Sequence, residues 1–72
     1  MRVHNIARSY NVLSKDVIYI HNLVLPSAKP LRSASSRVEV NRDNRIFWHS
    51  VMIAAQKRRI ERDSRPINIP QN

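Results

Sequence analysis

Residues 44–63, NRIFWHSVMIAAQKRRIERD, run without a proline or glycine and carry two separate apolar rows, and the fold turns on how those rows are assigned. The unbroken run predicts one long C-terminal helix over about 44–63, with Asn41 or Asp43 placed to accept its first free backbone N–H groups. At about 100° per residue, Phe47, Trp48, Val51, Met52, Ala54 and Ala55 fall on one wide side, which is the expected core face. Ile46, Ile53 and Ile60 recur every seven positions on nearly the opposite side, beside His49 and Gln56. This second row is shorter than a coiled-coil seam. It is read as Ile46 lying under a neighbouring loop with Ile53 and Ile60 partly exposed, or else as a partner-binding surface. Arg58 and Arg62 share the side of Phe47, Val51 and Ala55, where a small apolar core has no place for guanidinium groups. The helix is therefore expected to outrun the core, so that Lys57, Arg58, Arg59, Arg62 and Arg65 project as a basic end able to lie along phosphates.

Working back from that helix, Val3, Ile6, Ala7 and Tyr10 recur at helical spacing and predict a first short helix over about 3–10. Asn11 tolerates left-handed backbone and is expected to stop it, with the turn at Tyr10-Asn11-Val12. Ser14 is read as the cap of a second helix over about 15–23. Asp16 in its first turn complements the helix dipole there, and Val17, Ile18, Ile20, Leu23 and Val24 give it a broad apolar stripe that Pro26 closes. Residues 26–36, rich in Pro, Ser and Ala, read as a loop carrying Lys29 and Arg32. The alternation Arg37-Val38-Glu39-Val40 predicts a short strand at 37–40, paired with Met1–Val3 in a two-stranded patch. The predicted fold is mainly α, a small α+β unit of two short helices, a strand or two-stranded patch and one long C-terminal helix. It forms a single domain over 1–63, followed by an extended or disordered tail at 64–72 containing Pro66 and Pro70.

Composition narrows the chemistry. Among 72 residues there are 13 Lys and Arg against 5 Asp and Glu, a net charge of +8, and ten of the bases are arginine, the side chain suited to bidentate phosphate contacts. Most of the excess lies in the second half. Cysteine is absent, which removes disulfides and the usual thiolate ligands of small zinc domains. Glycine is absent too, which excludes a glycine-rich phosphate cradle. His4, His21 and His49 fall on different elements without metal-ligand spacing, and Ser33, Ser35 and Ser36 sit in a loop without a base, so the expectation is no metal, no cofactor and no enzyme activity. No apolar run approaches the ~18 residues of a membrane span, and no secretion signal follows the basic start. Met1–Ser14 is acid-free, as a transit peptide is, but reads better as folded structure, and a cytoplasmic location is expected.

The charge pattern predicts a polyanion as partner, structured RNA first. Lys57, Arg58, Arg59, Arg62 and Arg65 are the expected principal phosphate binders, and Arg32, Arg37, Arg42 and Arg45 form a second cluster. Two other readings stand beside it. The two short helices fit a helix-turn-helix DNA-binding regulator whose polar readers would be Lys15, Tyr19, His21 and Asn22. The row Ile46, Ile53 and Ile60 fits a protein-binding adaptor or inhibitor.

Read as a string, Arg2-Val3-His4, Ile6-Ala7, Val12, Ser14-Lys15-Asp16-Val17, Ser33-Ala34-Ser35-Ser36 and Val38-Glu39 resembles the start of bacterial translation initiation factor 2, particularly its actinobacterial form. The resemblance covers residues 2–40. It implies a small helical unit with a short sheet, associated with the small ribosomal subunit, and so ribosomal RNA, and possible contacts to ribosomal proteins, as partners. Two departures limit it: the family's glycine after the second helix is replaced by the longer Leu23–Lys29 segment, and the GTPase core is absent, so no GTP-dependent activity is implied. Ile6-Ala7, Tyr10-Asn11-Val12, Asp16, Val17 and Asn22-Leu23 also resemble the helical half of a peptidoglycan-binding LysM module, whose opening strand is missing here.

Overall fold

A chain without glycine has to turn by other means, and Asn11 supplies the first turn with a φ of 57°. In the computed structural model, which describes residues 1–64, helix α1 (Val3–Ser9) ends just before it. The Val12 N–H donates to the Ala7 carbonyl at 3.0 Å and the Asn11 N–H to the Arg8 carbonyl at 3.1 Å, the paired bonds that close a helix through a left-handed residue. Val12 and Ala7 are both buried, so the same turn starts the core. The turn thus falls at residues 10–12, where the sequence places it.

Helix α2 (Ser14–Val24) begins one residue earlier than expected, and Ser14 does not cap it. Leu13 holds the cap position, and its carbonyl accepts from both Asp16 and Val17, at 3.0 and 3.2 Å, so the first turn closes through the backbone instead. A turn closed by asparagine side chains leads into helix α3 (Arg45–Ser64). The Asn41 Oδ1 accepts from the N–H groups of Asp43 and Asn44, at 2.9 and 3.0 Å, and the Asn44 Oδ1 accepts from the Asn41 N–H at 2.8 Å. That reciprocal exchange closes the turn before α3 and bonds none of the helix's own N–H groups, so neither Asn41 nor Asp43 caps α3 as expected.

The described residues are mainly helical, with α2 and α3 running antiparallel: Asp16 near the start of α2 meets Arg58 and Arg62 near the end of α3, while His21 meets Trp48 near its start. The core is Val3, Ile6, Ala7, Val12, Val17, Leu31, Val38, Trp48, Val51, Met52 and Ala55, with Phe47, Tyr10, Ile18 and Ile20 packed on it half-buried. The face of α3 expected to be buried is the buried one. The opposite row is open: Ile46 is 82% exposed, Ile60 63% and Ile53 46%. Ile46 does not lie under the loop, because the loop turns the other way, toward α1 and α2.

That loop, residues 26–36, is held at three points. The Asn22 side chain on α2 donates to the Leu31 carbonyl and accepts from the Leu31 N–H, both at 3.0 Å, which pins Leu31 into the core. The Ser36 hydroxyl accepts from the N–H groups of Arg32 and Ser33. The carbonyls of Ala34 and Ser36 then accept from His4 and Val3, at 2.9 and 3.0 Å, satisfying free donors at the start of α1 that no side chain caps. The expected strand at 37–40 and its two-stranded patch are not formed among the described residues. The pairing is a single antiparallel bridge between Arg2 and Arg37, extended by the Val38 N–H on the Met1 carbonyl at 2.8 Å. A ladder cannot grow from it because Val3 already begins α1 and the Glu39 carbonyl is taken by the Asn44 side chain. Helix α3 extends to Ser64; of the tail expected at 64–72, residues 65–72, with Arg65, lie outside the described residues.

Replacing Asn22 by Ala leaves the Leu31 N–H and carbonyl partly buried without partners, which costs about 1–3 kcal/mol. We expect a lower urea midpoint for Asn22→Ala with the helical circular-dichroism signal of the native state unchanged; an unaltered midpoint contradicts Asn22 as the loop's anchor.

Candidate nucleic-acid interface

Twelve of the thirteen bases lie in the described residues, and the structure divides them by what they already hold. At the far end of α3 the guanidinium groups are engaged. Asp16 is 1% exposed, buried on α2 among core residues. The Arg58 Nε donates to its Oδ1 at 3.1 Å, and the Arg62 Nη2 donates to the same oxygen. The Arg58 guanidinium also lies 4.0 Å from the centroid of the Tyr19 ring, a cation–π contact that closes the clamp from outside. Burial pushes the Asp16 carboxyl up, but hydrogen bonds from Arg62 and Arg58, with their charges, outweigh it and hold the group below the usual carboxylate range. The same hydrogen bond raises Arg62 further.

Arg59 is tied as well. Its Nη1 donates to the Asn11 carbonyl at 2.7 Å and its Nε lies 3.8 Å from Asp63. The Gln56 side chain donates to the neighbouring Tyr10 carbonyl at 3.1 Å. Three of the five bases expected to project from the end of α3 therefore hold the fold together instead: α3 does not outrun the globule at Arg58 and Arg62, because α2 brings a buried carboxylate beneath them. Lys57 remains exposed.

At the near end of α3 the bases are free to bind. Among the described residues, the side chains of Lys29, Arg32, Arg37, Arg42 and Arg45 are exposed and make no hydrogen bond or ion pair within the protein. Lys29, Arg32 and Arg37 line one groove, of about 700 Å³, between the 26–36 loop and the start of α3. Its apolar wall comes from Leu25, Pro30, Leu31, Val38, Phe47 and Trp48. Arg42 and Arg45 stand beside the groove but do not line it, so the second cluster of the sequence reading is only partly brought together. Lys29 joins it instead, a residue the sequence marked only as lying on the loop. Three bases within nine residues mark the segment as charged, but that they share one groove follows from Asn22 pinning Leu31.

Behind the groove the aromatic rings form a chain. His21 stacks on Trp48 at 5.6 Å between centroids, and Phe47 meets the edges of both, at 5.4 and 6.2 Å. The His21 Nδ1 lies 2.8 Å from the Asn22 Oδ1, an oxygen that only accepts, so Nδ1 carries a proton. His21 is buried, Asn22 holds Leu31 and Tyr19 covers Arg58, so three of the four polar readers that a DNA recognition helix would need on α2 are committed to the fold. Only Lys15 is left.

No family model matches the chain, and neither a curated protein nor a solved structure matches it.

Because the Asp16 carboxyl is held below its unfolded value, the clamp's stabilisation is present above about pH 4 and is lost as pH falls through the lowered value. We expect acid to lower the thermal midpoint steeply in that window. Asp16→Asn should lose about 1–3 kcal/mol at neutral pH and flatten the acid dependence. A variant that keeps the parent's acid profile contradicts the clamp.

Proposed function

We propose that the chain is a non-enzymatic, basic RNA-binding module that works at the ribosome, gripping structured RNA through its phosphates. The observation that carries the proposal is the division of the arginines: one cationic end is consumed internally, while the other, at the 26–36 loop and the start of α3, presents five unpartnered bases against Glu39 and Asp43. An excess of this kind repels itself in the folded chain and is relieved by a polyanion. Phosphate contacts position a protein without reading sequence, so discrimination among RNAs is low at this level. Arg32, Arg37, Arg42, Arg45 and Lys29 are the principal binders, with Lys57 as an outlying contact; Arg58, Arg59 and Arg62 act through the fold. The resemblance of residues 2–40 to the initiation-factor domain supports a ribosomal RNA as the source.

A second reading rests on the exposure of Ile46, Ile53 and Ile60: an adaptor or inhibitor that docks a protein on the outer face of α3. Helix-turn-helix DNA recognition has less support, since α2 presents so few readers.

The test is binding to structured ribosomal RNA fragments at two salt concentrations, with double-stranded DNA as competitor. Each phosphate contact contributes about one unit of slope to log K against log salt. Arg32→Glu with Arg37→Glu should weaken binding by at least about tenfold and lower the slope by about 2, whereas Lys57→Glu changes it by about 1 or less. Salt-independent binding, or binding untouched by the first pair and lost on Ile53→Asp, overturns the RNA reading in favour of a protein partner.

A further inference from the structure

Phosphate contact alone needs only exposed bases, yet three of these bases surround a groove with an apolar wall. We infer that this groove receives one unpaired nucleotide of the bound RNA, its base against Phe47 and its flanking phosphates against Lys29, Arg32 and Arg37. The inference rests on the RNA reading above and adds the form of the ligand: a flipped-out or loop nucleotide rather than a duplex backbone.

The groove suits that ligand on three counts. Its volume of about 700 Å³ falls in the range of about 300–1,000 Å³ typical of small-molecule sites, room for one base in a groove open on one side. The lining joins cations to apolar surface: Phe47 is half-buried and held edge-on by Trp48, so its ring is presented in a fixed orientation. Bases splayed from single strands stack on aromatic side chains in this way, and a duplex, whose bases are already stacked on one another, has none to offer. The groove is also prebuilt. Asn22 pins Leu31 in its wall, the Asn44 side chain in the turn before α3 holds the Glu39 carbonyl, and the Arg2–Arg37 bridge fixes the strand-like side. A rigid wall does not have to be ordered on binding, which spares side-chain and loop entropy.

Glu39 is the one acid among the lining residues. A carboxylate accepts and cannot donate, so it favours a base edge rich in N–H groups and disfavours one of lone pairs. Guanine presents a ring N–H and an amino group side by side, and uracil a single ring N–H between two carbonyls. Guanine is therefore the favoured occupant.

Trp48 is the only tryptophan in the chain and stands in the groove wall, so its fluorescence reports occupancy directly. The experiment titrates the whole protein with three RNAs of equal phosphate number: a single strand of uridines with one central guanosine, the same strand with uridine only, and a blunt duplex. The guanosine strand is expected to shift Trp48 emission and bind at least about fivefold more tightly than the all-uridine strand, with the duplex binding but leaving the emission unmoved. Phe47→Leu, which keeps an apolar side chain at the core, should abolish the preference for single strands while leaving duplex binding intact, and Glu39→Gln should reduce the preference for guanosine. If all three RNAs bind equally without a change in Trp48, the groove inference fails and the phosphate reading stands. If none binds, both fail.

Discussion

The buried carboxylate of Asp16 is the constraint on which the rest of the molecule depends. It stands alone in the first half of the chain as an acid, it faces two arginines one helical turn apart on α3, and it draws them inward. An ionised carboxylate in an apolar interior is costly unless it is paired and hydrogen-bonded, and here one helix face supplies both pairing and hydrogen bonds at Oδ1, while Oδ2 is buried without a partner. The consequence reaches beyond stability. By locking the start of α2 to the end of α3 the clamp sets the antiparallel packing, which in turn places His21 against Trp48 and builds the wall of the groove at the other end. α3 is about 20 Å long between Arg45 and Arg58, so clamp and groove are distinct sites joined by one rigid element.

The arginines therefore divide by role rather than by type. Those with a carboxylate or a carbonyl within reach, Arg58, Arg59 and Arg62, serve as structural ties. Those on the 26–36 loop and near the start of α3 face solvent, and a guanidinium, being weakly hydrated, gives up little when it exchanges water for phosphate. A glycine-free chain keeps such a loop in place with side-chain amides and hydroxyls, and Asn22, Ser36, Asn41 and Asn44 do this work.

Much of the fold was legible in the sequence because it rests on local signals. The three helices, the Asn11 turn and the buried face of α3 all follow from periodicity and turn chemistry within a few residues, whereas Asn41 closes the turn before α3 instead of capping the helix. The strand was misread because alternation over four residues says nothing about whether a partner strand has residues to spare, and Met1–Val3 does not. Ser14 was misread because a backbone carbonyl took over its task. The larger error concerned Arg58 and Arg62. Their position on the core side of α3 was read correctly, but its resolution was sought in a helix longer than its core, when two cations on a core face equally demand a buried acid. Asp16 was that acid; the pairing spans 42 and 46 residues of chain and leaves no local trace. For the candidate site, the loop bases were legible as charge, but the groove they share depends on Leu31 being pinned by Asn22, which only three dimensions reveal.

Arginines at the two ends of α3 stand in different surroundings, and a side-chain NMR titration that follows each arginine Nε–H as structured RNA is added separates them. We expect the Arg58 signal to be present without RNA, protected from solvent exchange by Asp16, and to stay in place throughout, while Arg32 and Arg37 exchange rapidly in the free protein and shift or slow when RNA binds. Fast exchange at Arg58 in the free protein, with RNA-dependent shifts there and none at Arg32 and Arg37, would contradict that expectation.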